Sequence, residues 1–241
     1  MIIFKKGHFL ILVIILLVAS SQYGYSQTPV LVQDVYSGSF DLPFNRNSLI
    51  EFRGSLYLLA NDGINGRELW RSDGDTAVLV QDIRAGIEGS NPEFFTIIGD
   101  QLVFRAFDDI HGAELWTFDG DTAVLIQDLW PGILGSGPRE LFAFNDEVFF
   151  QADDGTTGLE LWKYDGTSIS LVANIRENDE NAVPADFVSF QGDLYFRATN
   201  GDKGLELWKY DGETVTLVQD INRGANAEPR NFKVLTPYLR L

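Results

Sequence analysis

Apolar and polar positions alternate along most of this chain, and the alternation comes in short blocks. Pro92 to Ile98 (PEFFTII) and Gln101 to Phe107 (QLVFRAF) are rich in β-formers and flank Gly99-Asp100, so they predict a hairpin with a two-residue loop. Asp108 to Gly112 reads as a loop, and Ala113 to Phe118 (AELWTF) as a third strand. Asp119-Gly120 reads as a hairpin turn into a fourth strand, Thr122 to Leu129 (TAVLIQDL). A Gly/Pro-rich connection then leads to Pro138. No stretch beyond the N-terminal segment carries the 3.6-residue period of an amphipathic helix.

This block of four strands repeats. Glu-Leu-Trp occurs at 68–70, 114–116, 160–162 and 206–208, so the tryptophans step by 46 residues. Each triplet is followed by Asp-Gly, at 73–74, 119–120, 165–166 and 211–212. A four-stranded meander cannot bury both of its faces alone, and stacking successive copies does so. Units of about 40–50 residues with four strands describe the blades of a β-propeller. The expected fold is therefore all-β: a propeller-like array of four-stranded antiparallel blades near residues 43–83, 92–129, 138–175 and 184–221. Partial strands at 30–35 and 229–241 have the pattern of a further blade that lacks the Glu-Leu-Trp strand.

The repeat unit, DG-x-x-G-x-ELW-x-x-DG-(T), resembles the ELWxxDGT repeat family of exported bacterial proteins. Asn61-Asp62-Gly63 through Gly74 and Asp154-Gly155 through Thr167 carry the resemblance most fully. It covers roughly residues 30–221 and implies a propeller-like β fold and export. It implies no ligand, reaction or site residue.

The N-terminus reads separately. Lys5 and Lys6 precede an apolar run, Phe9 to Ala19, and then small residues around Ser20, Ser21 and Gly24. This is the layout of a secretory signal peptide over residues 1–26, and the run is short for a membrane span. The expected mature chain is a propeller domain at 27–241, secreted or at the cell surface, with no integral membrane segment after cleavage. There is no cysteine, so stability of the exported chain rests on burial rather than disulfides. Hydrophobic residues make up 45% of the chain, enough for such a core.

The formal net charge is −17, and cleavage would remove two lysines and no acid. Such a surface repels phosphates, which argues against a nucleic-acid partner. The expected partner is an extracellular protein or a glycan.

The repeated residues read as framework. Trp70, Trp116, Trp162 and Trp208 fall mid-strand and suit a core between stacked blades. Glu68, Glu114, Glu160 and Glu206 share their face, and a buried carboxylate needs donors. Arg105 and Arg197 stand in only two copies, with Leu59 and Gln151 in the others, so backbone amides are the expected donors. Asp73, Asp119, Asp165 and Asp211, with Gly74, Gly120, Gly166 and Gly212, read as turn formers. Asp82, Asp128 and Asp220 stand at strand ends, where they suit loop capping.

The loops between second and third strands, with the blade connections, concentrate acids on one edge. Asp62, Asp108, Asp109, Asp154, Asp179 and Glu180 are the candidates for calcium, without a complete ligand spacing in any copy. Catalysis has little support. His111 is the single histidine after residue 26, there is no G-x-S-x-G elbow, and Gly132 to Gly137 leads into a strand rather than a helix. No catalytic residue and no cofactor is expected. The sequence favours a non-catalytic binding or adhesion scaffold, with a carbohydrate-active enzyme using loop carboxylates, or a fragment of a larger repeat protein, as alternatives.

Overall fold

A computed structural model describes residues 49–223, 227–230 and 232. The signal-peptide segment, residues 30–35 and, apart from 229, 230 and 232, the partial-blade segment at 229–241 lie outside these residues. The described chain is all-β, with sixteen strands in four separate four-stranded sheets. The strands of each sheet are paired antiparallel in chain order, so each sheet is a meander and forms one blade of a propeller-like array.

The chain divides into two compact units, Met1–Pro92 and Glu93–Leu241. The first contains one blade: β1 (Leu49–Phe52), β2 (Ser55–Asn61), β3 (Arg67–Ser72) and β4 (Ala77–Gln81). Leu58 pairs with Trp70, and Trp70 with Leu79, so these three share a face. That face, with Ala60, forms the apolar cluster of the unit.

The second unit contains three blades. The first is β5 (Glu93–Ile98), β6 (Gln101–Asp108), β7 (Gly112–Phe118) and β8 (Ala123–Leu125). The second is β9 (Arg139–Phe144), β10 (Glu147–Ala152), β11 (Glu160–Tyr164) and β12 (Ile169–Ala173). The third is β13 (Ala185–Phe190), β14 (Asp193–Ala198), β15 (Glu206–Tyr210) and β16 (Val215–Gln219).

Their packing follows from the period-2 alternation of the Glu-Leu-Trp strand. Trp162, Tyr164, Phe150 and Val148 on one face of the β9–β12 blade pack against Leu115, Val103 and Ile98 of the blade before it. Leu161 and Phe149, on its other face, pack with Trp208, Tyr210 and Phe196 of the next. Leucine and tryptophan of one triplet thus serve two different blade interfaces. The three first strands, β5, β9 and β13, are neighbours in turn.

Two details differ from the sequence reading. The Asp-Gly turns are four-residue loops, longer than the tight hairpin turns expected, since Ser72 pairs with Ala77 and Phe118 with Ala123. The fourth strand of the second repeat stops at Leu125, short of the expected Leu129; Ile126 still donates to the Leu115 carbonyl at 3.0 Å, and by Trp130 the chain has entered the connection and donates to Glu114.

Candidate functional site

The chemistry repeated in every blade is the glutamate of the Glu-Leu-Trp strand. Pairing opposite an alanine of the second strand puts it on the tryptophan face, within two residue pairs of the loop end of each blade. All four glutamates are fully buried. A carboxylate so placed needs several donors, and the connection to the next blade supplies them.

In the first blade the Glu68 carboxylate accepts the Arg84 amide (3.1 Å), the Ser90 amide (2.8 Å) and the Ser90 hydroxyl. In the second, Glu114 accepts the Trp130 amide (3.1 Å), the Ser136 amide (2.8 Å) and the Ser136 hydroxyl. The serines follow their glutamates by 22 residues and are themselves buried. Burial pushes both carboxyls up; the serine hydroxyls and the amides oppose the shift without cancelling it.

In the third blade the matching residue is Ala182, which has no hydroxyl. Glu160 accepts amides only, from Ile175 (2.8 Å) and Arg176 (3.1 Å) among them. Burial pushes its carboxyl up to about 7, against the pull of those amides. In the fourth blade the Ile221 amide donates to Glu206 at 3.0 Å, and the other carboxylate oxygen is buried without a partner among the described residues.

The same connections dock on the start of the Glu-Leu-Trp strand. Asn91 N donates to Arg67 O, and Gly137 N to Ala113 O, each at 2.9 Å. The backbones approach so closely that a Cβ on Gly112 would lie 2.5 Å from the Ile133 carbonyl oxygen, and one on Gly66 2.6 Å from that of Ile87. Both glycines also hold positive φ, at 71° and 69°, which side chains rarely adopt. Ser136 then passes the linkage on: its carbonyl accepts the Asp153 amide of the following blade at 3.0 Å. Within the second unit the glutamate is the buried anchor of a strap from blade to blade.

Arg105 and Arg197 play no part in that anchor. Arg105 pairs with Leu115, on the face opposite Glu114, and its guanidinium meets Glu93. Arg197 meets Asp186 at 2.8 Å. Both ion pairs tie a second strand to the first strand of its own blade.

The acidic loop residues cap their own loops. Asp62 accepts the amides of Ile64 (2.9 Å) and Asn65 (2.8 Å) and the Asn65 side chain. Asp108 accepts the amides of Ile110 and His111 and contacts the His111 ring at 2.7 Å. Asp154 accepts the amides and hydroxyls of Thr156 and Thr157. Burial raises all three carboxyls, but these donors outweigh it and hold them below the usual range. Asp109 is exposed, Asp179 sits at a φ of 58°, and Glu180 pairs with Arg176. Among the described residues no three histidine, aspartate or glutamate side chains gather into a metal-holding group. Asp73, Asp119, Asp165 and Asp211 each accept the amides two and three residues on, which closes the four-residue loops.

Four tryptophans are buried in the blade faces. Trp208 donates its indole N–H to the Ala198 carbonyl at 2.9 Å, while those of Trp70, Trp116 and Trp162 have no partner among the described residues. No helix among the described residues is long and apolar enough to cross a membrane.

No protein-family model matches the chain, and no curated protein matches it. Solved structures do. One is the β-propeller domain of the Trilobed protease from Pyrococcus furiosus, at 14% identity and a TM-score of 0.48, covering 77% of this chain and 55% of that one. Another is the GH74 xyloglucanase from Xanthomonas campestris, at 15% identity and 0.49, covering 73% and 30%. A third is a puromycin-hydrolyzing peptidase from Mycobacterium tuberculosis, at 13% and 0.49, covering 76% and 30%. The chain spans about half the length of the first and under a third of the other two. Likenesses this distant transfer no activity, and the fold rests on the four sheets themselves.

Serines 90 and 136 are the donors to the buried glutamates that the repeat motif alone does not show. Their signal is the pair Gly89-Ser90 and Gly135-Ser136, recurring at the 46-residue step.

Proposed function

We propose that this chain is an exported, non-catalytic binding scaffold whose partner is an extracellular protein or glycan. The observation that carries the reading is the consumption of the repeated acids within the blades. Each glutamate is buried and accepts amides from its own connection, so none faces solvent where a substrate would meet it. The turn and loop aspartates are likewise engaged with neighbouring amides. What varies between copies is the connection and the loop beside it, and loops on a rigid frame are where binding specificity resides. The basic n-region and apolar run at the N-terminus support export.

The test is turnover. The purified chain is incubated with a panel of soluble polysaccharides, and reducing ends are counted. The expected result is none above a heat-denatured control. Sustained release above that control would overturn the reading.

A further inference from the structure

The loop edge carries large aliphatic side chains that no packing explains. In the second blade Ile110 is 72% exposed, Ile133 53% and Leu134 70%; in the first, Ile64 is 74% and Ile87 71%. Residues 112 and 133 are in backbone contact, as are 66 and 87, so each set belongs to one edge of its own blade. The fold does not need these side chains. In the third blade the same docking occurs, with Gly158 against the Glu180 carbonyl, yet Thr156 and Asp179 stand where Ile110 and Ile133 stand in the second. Exposed aliphatics clustered in this way mark interaction sites.

We propose that Ile110, Ile133 and Leu134 form a docking surface for a cationic amphipathic protein segment, with Ile64 and Ile87 its equivalent in the first blade. This rests on the scaffold reading and names its partner. Charge selects the occupant. Asp109 is exposed beside Ile110, Glu88 is exposed beside Ile87, and the chain carries a formal charge of −17. A second copy would bring like charge against like, and anionic lipid would be repelled for the same reason. A segment with aliphatic side chains on one side and lysine or arginine on the other satisfies both the apolar centre and the acidic rim.

The experiment is fluorescence anisotropy with the full chain and three labelled peptides: alternating Leu/Lys, alternating Leu/Glu and alternating Ser/Lys. The variant is Ile64→Ser/Ile87→Ser/Ile110→Ser/Leu134→Ser, whose sites are exposed, and thermal melting checks that it folds. The expected result is binding of the Leu/Lys peptide alone, weakened at least about tenfold in the variant. A loss of under about twofold would overturn the proposal, as would equal binding of Leu/Glu. Two other outcomes overturn it equally: a dimer in light scattering that the variant abolishes, or co-sedimentation with phosphatidylcholine vesicles that the variant abolishes. Polysaccharide turnover, by contrast, sinks the scaffold reading whichever way the peptides behave.

Discussion

Ser136 gives both its amide (2.8 Å) and its hydroxyl to the Glu114 carboxylate, across 22 residues of chain and inside a fully buried site. The pair fastens the connection between two blades to the strand that carries the repeat motif. Removing the hydroxyl in Ser136→Ala leaves a buried carboxylate short of a donor, at a cost of about 1–3 kcal/mol. Urea denaturation should show this as a lower midpoint with an unchanged slope. Ser90→Ala should behave alike.

The third blade offers the reverse substitution. Ala182 occupies the serine place and is buried. Ala182→Ser supplies the hydroxyl that Glu160 lacks. The expected gain is about 1 kcal/mol near pH 8, read from the denaturation midpoint. A loss there would show that the two connections differ in more than the side chain.

Glu160 also sets a pH dependence. Its carboxyl is raised from 4.5 to about 7 on folding, so the native state holds its proton more tightly than the unfolded chain. Its contribution to stability is therefore fully present below about pH 4.5 and is lost as pH rises through about 7. Every tenfold difference in proton affinity between the folded and unfolded chain is worth about 1.4 kcal/mol. Glu160→Gln mimics the protonated form, so it should raise the melting temperature at pH 8 and leave it unchanged at pH 4. Equal effects at both values would contradict the assignment.

Gly112 tests the docked backbone. Alanine there meets a positive φ of 71° and the Ile133 carbonyl at 2.5 Å. The left-handed conformation alone costs about 1–2 kcal/mol, and the clash adds to it. Gly112→Ala should therefore destabilise the chain by more than about 2 kcal/mol in denaturation. A near-neutral result would mean that the connection is free to lift.

The acidic loops yield a calcium prediction. Asp62, Asp108 and Asp154 already accept amides of their own loops. Millimolar calcium should leave the melting temperature unchanged, whereas a ligand bound to the native state alone would raise it. A rise of several degrees, removed by chelator, would restore the metal reading.

Much of the fold was legible in the sequence because its signals are local. Gly99-Asp100 and the β-rich runs on either side give a hairpin from neighbours alone, and Ile98 does pair with Gln101. The Trp70-to-Trp116 step gives the repeat. The donors to the glutamates were legible only in part. Backbone amides are a general expectation for any buried carboxylate, but which amides depends on how a connection folds back over a gap of 16 or 22 residues. The partner of Arg105 was hidden for a related reason: strand register puts it opposite Leu115, on the face away from Glu114, where it meets Glu93. The length of the Asp-Gly loops was hidden because Asp119 stabilises a four-residue loop through its side chain, a device that looks like a tight turn in sequence.

The claim that the repeated glutamate is a structural anchor is tested most directly by a double-mutant cycle on Glu114→Gln and Ser136→Ala. The two side chains touch, so their effects on unfolding free energy should be coupled, by about 0.5–3 kcal/mol. Additivity within about 0.3 kcal/mol would contradict the account, since independent residues behave that way.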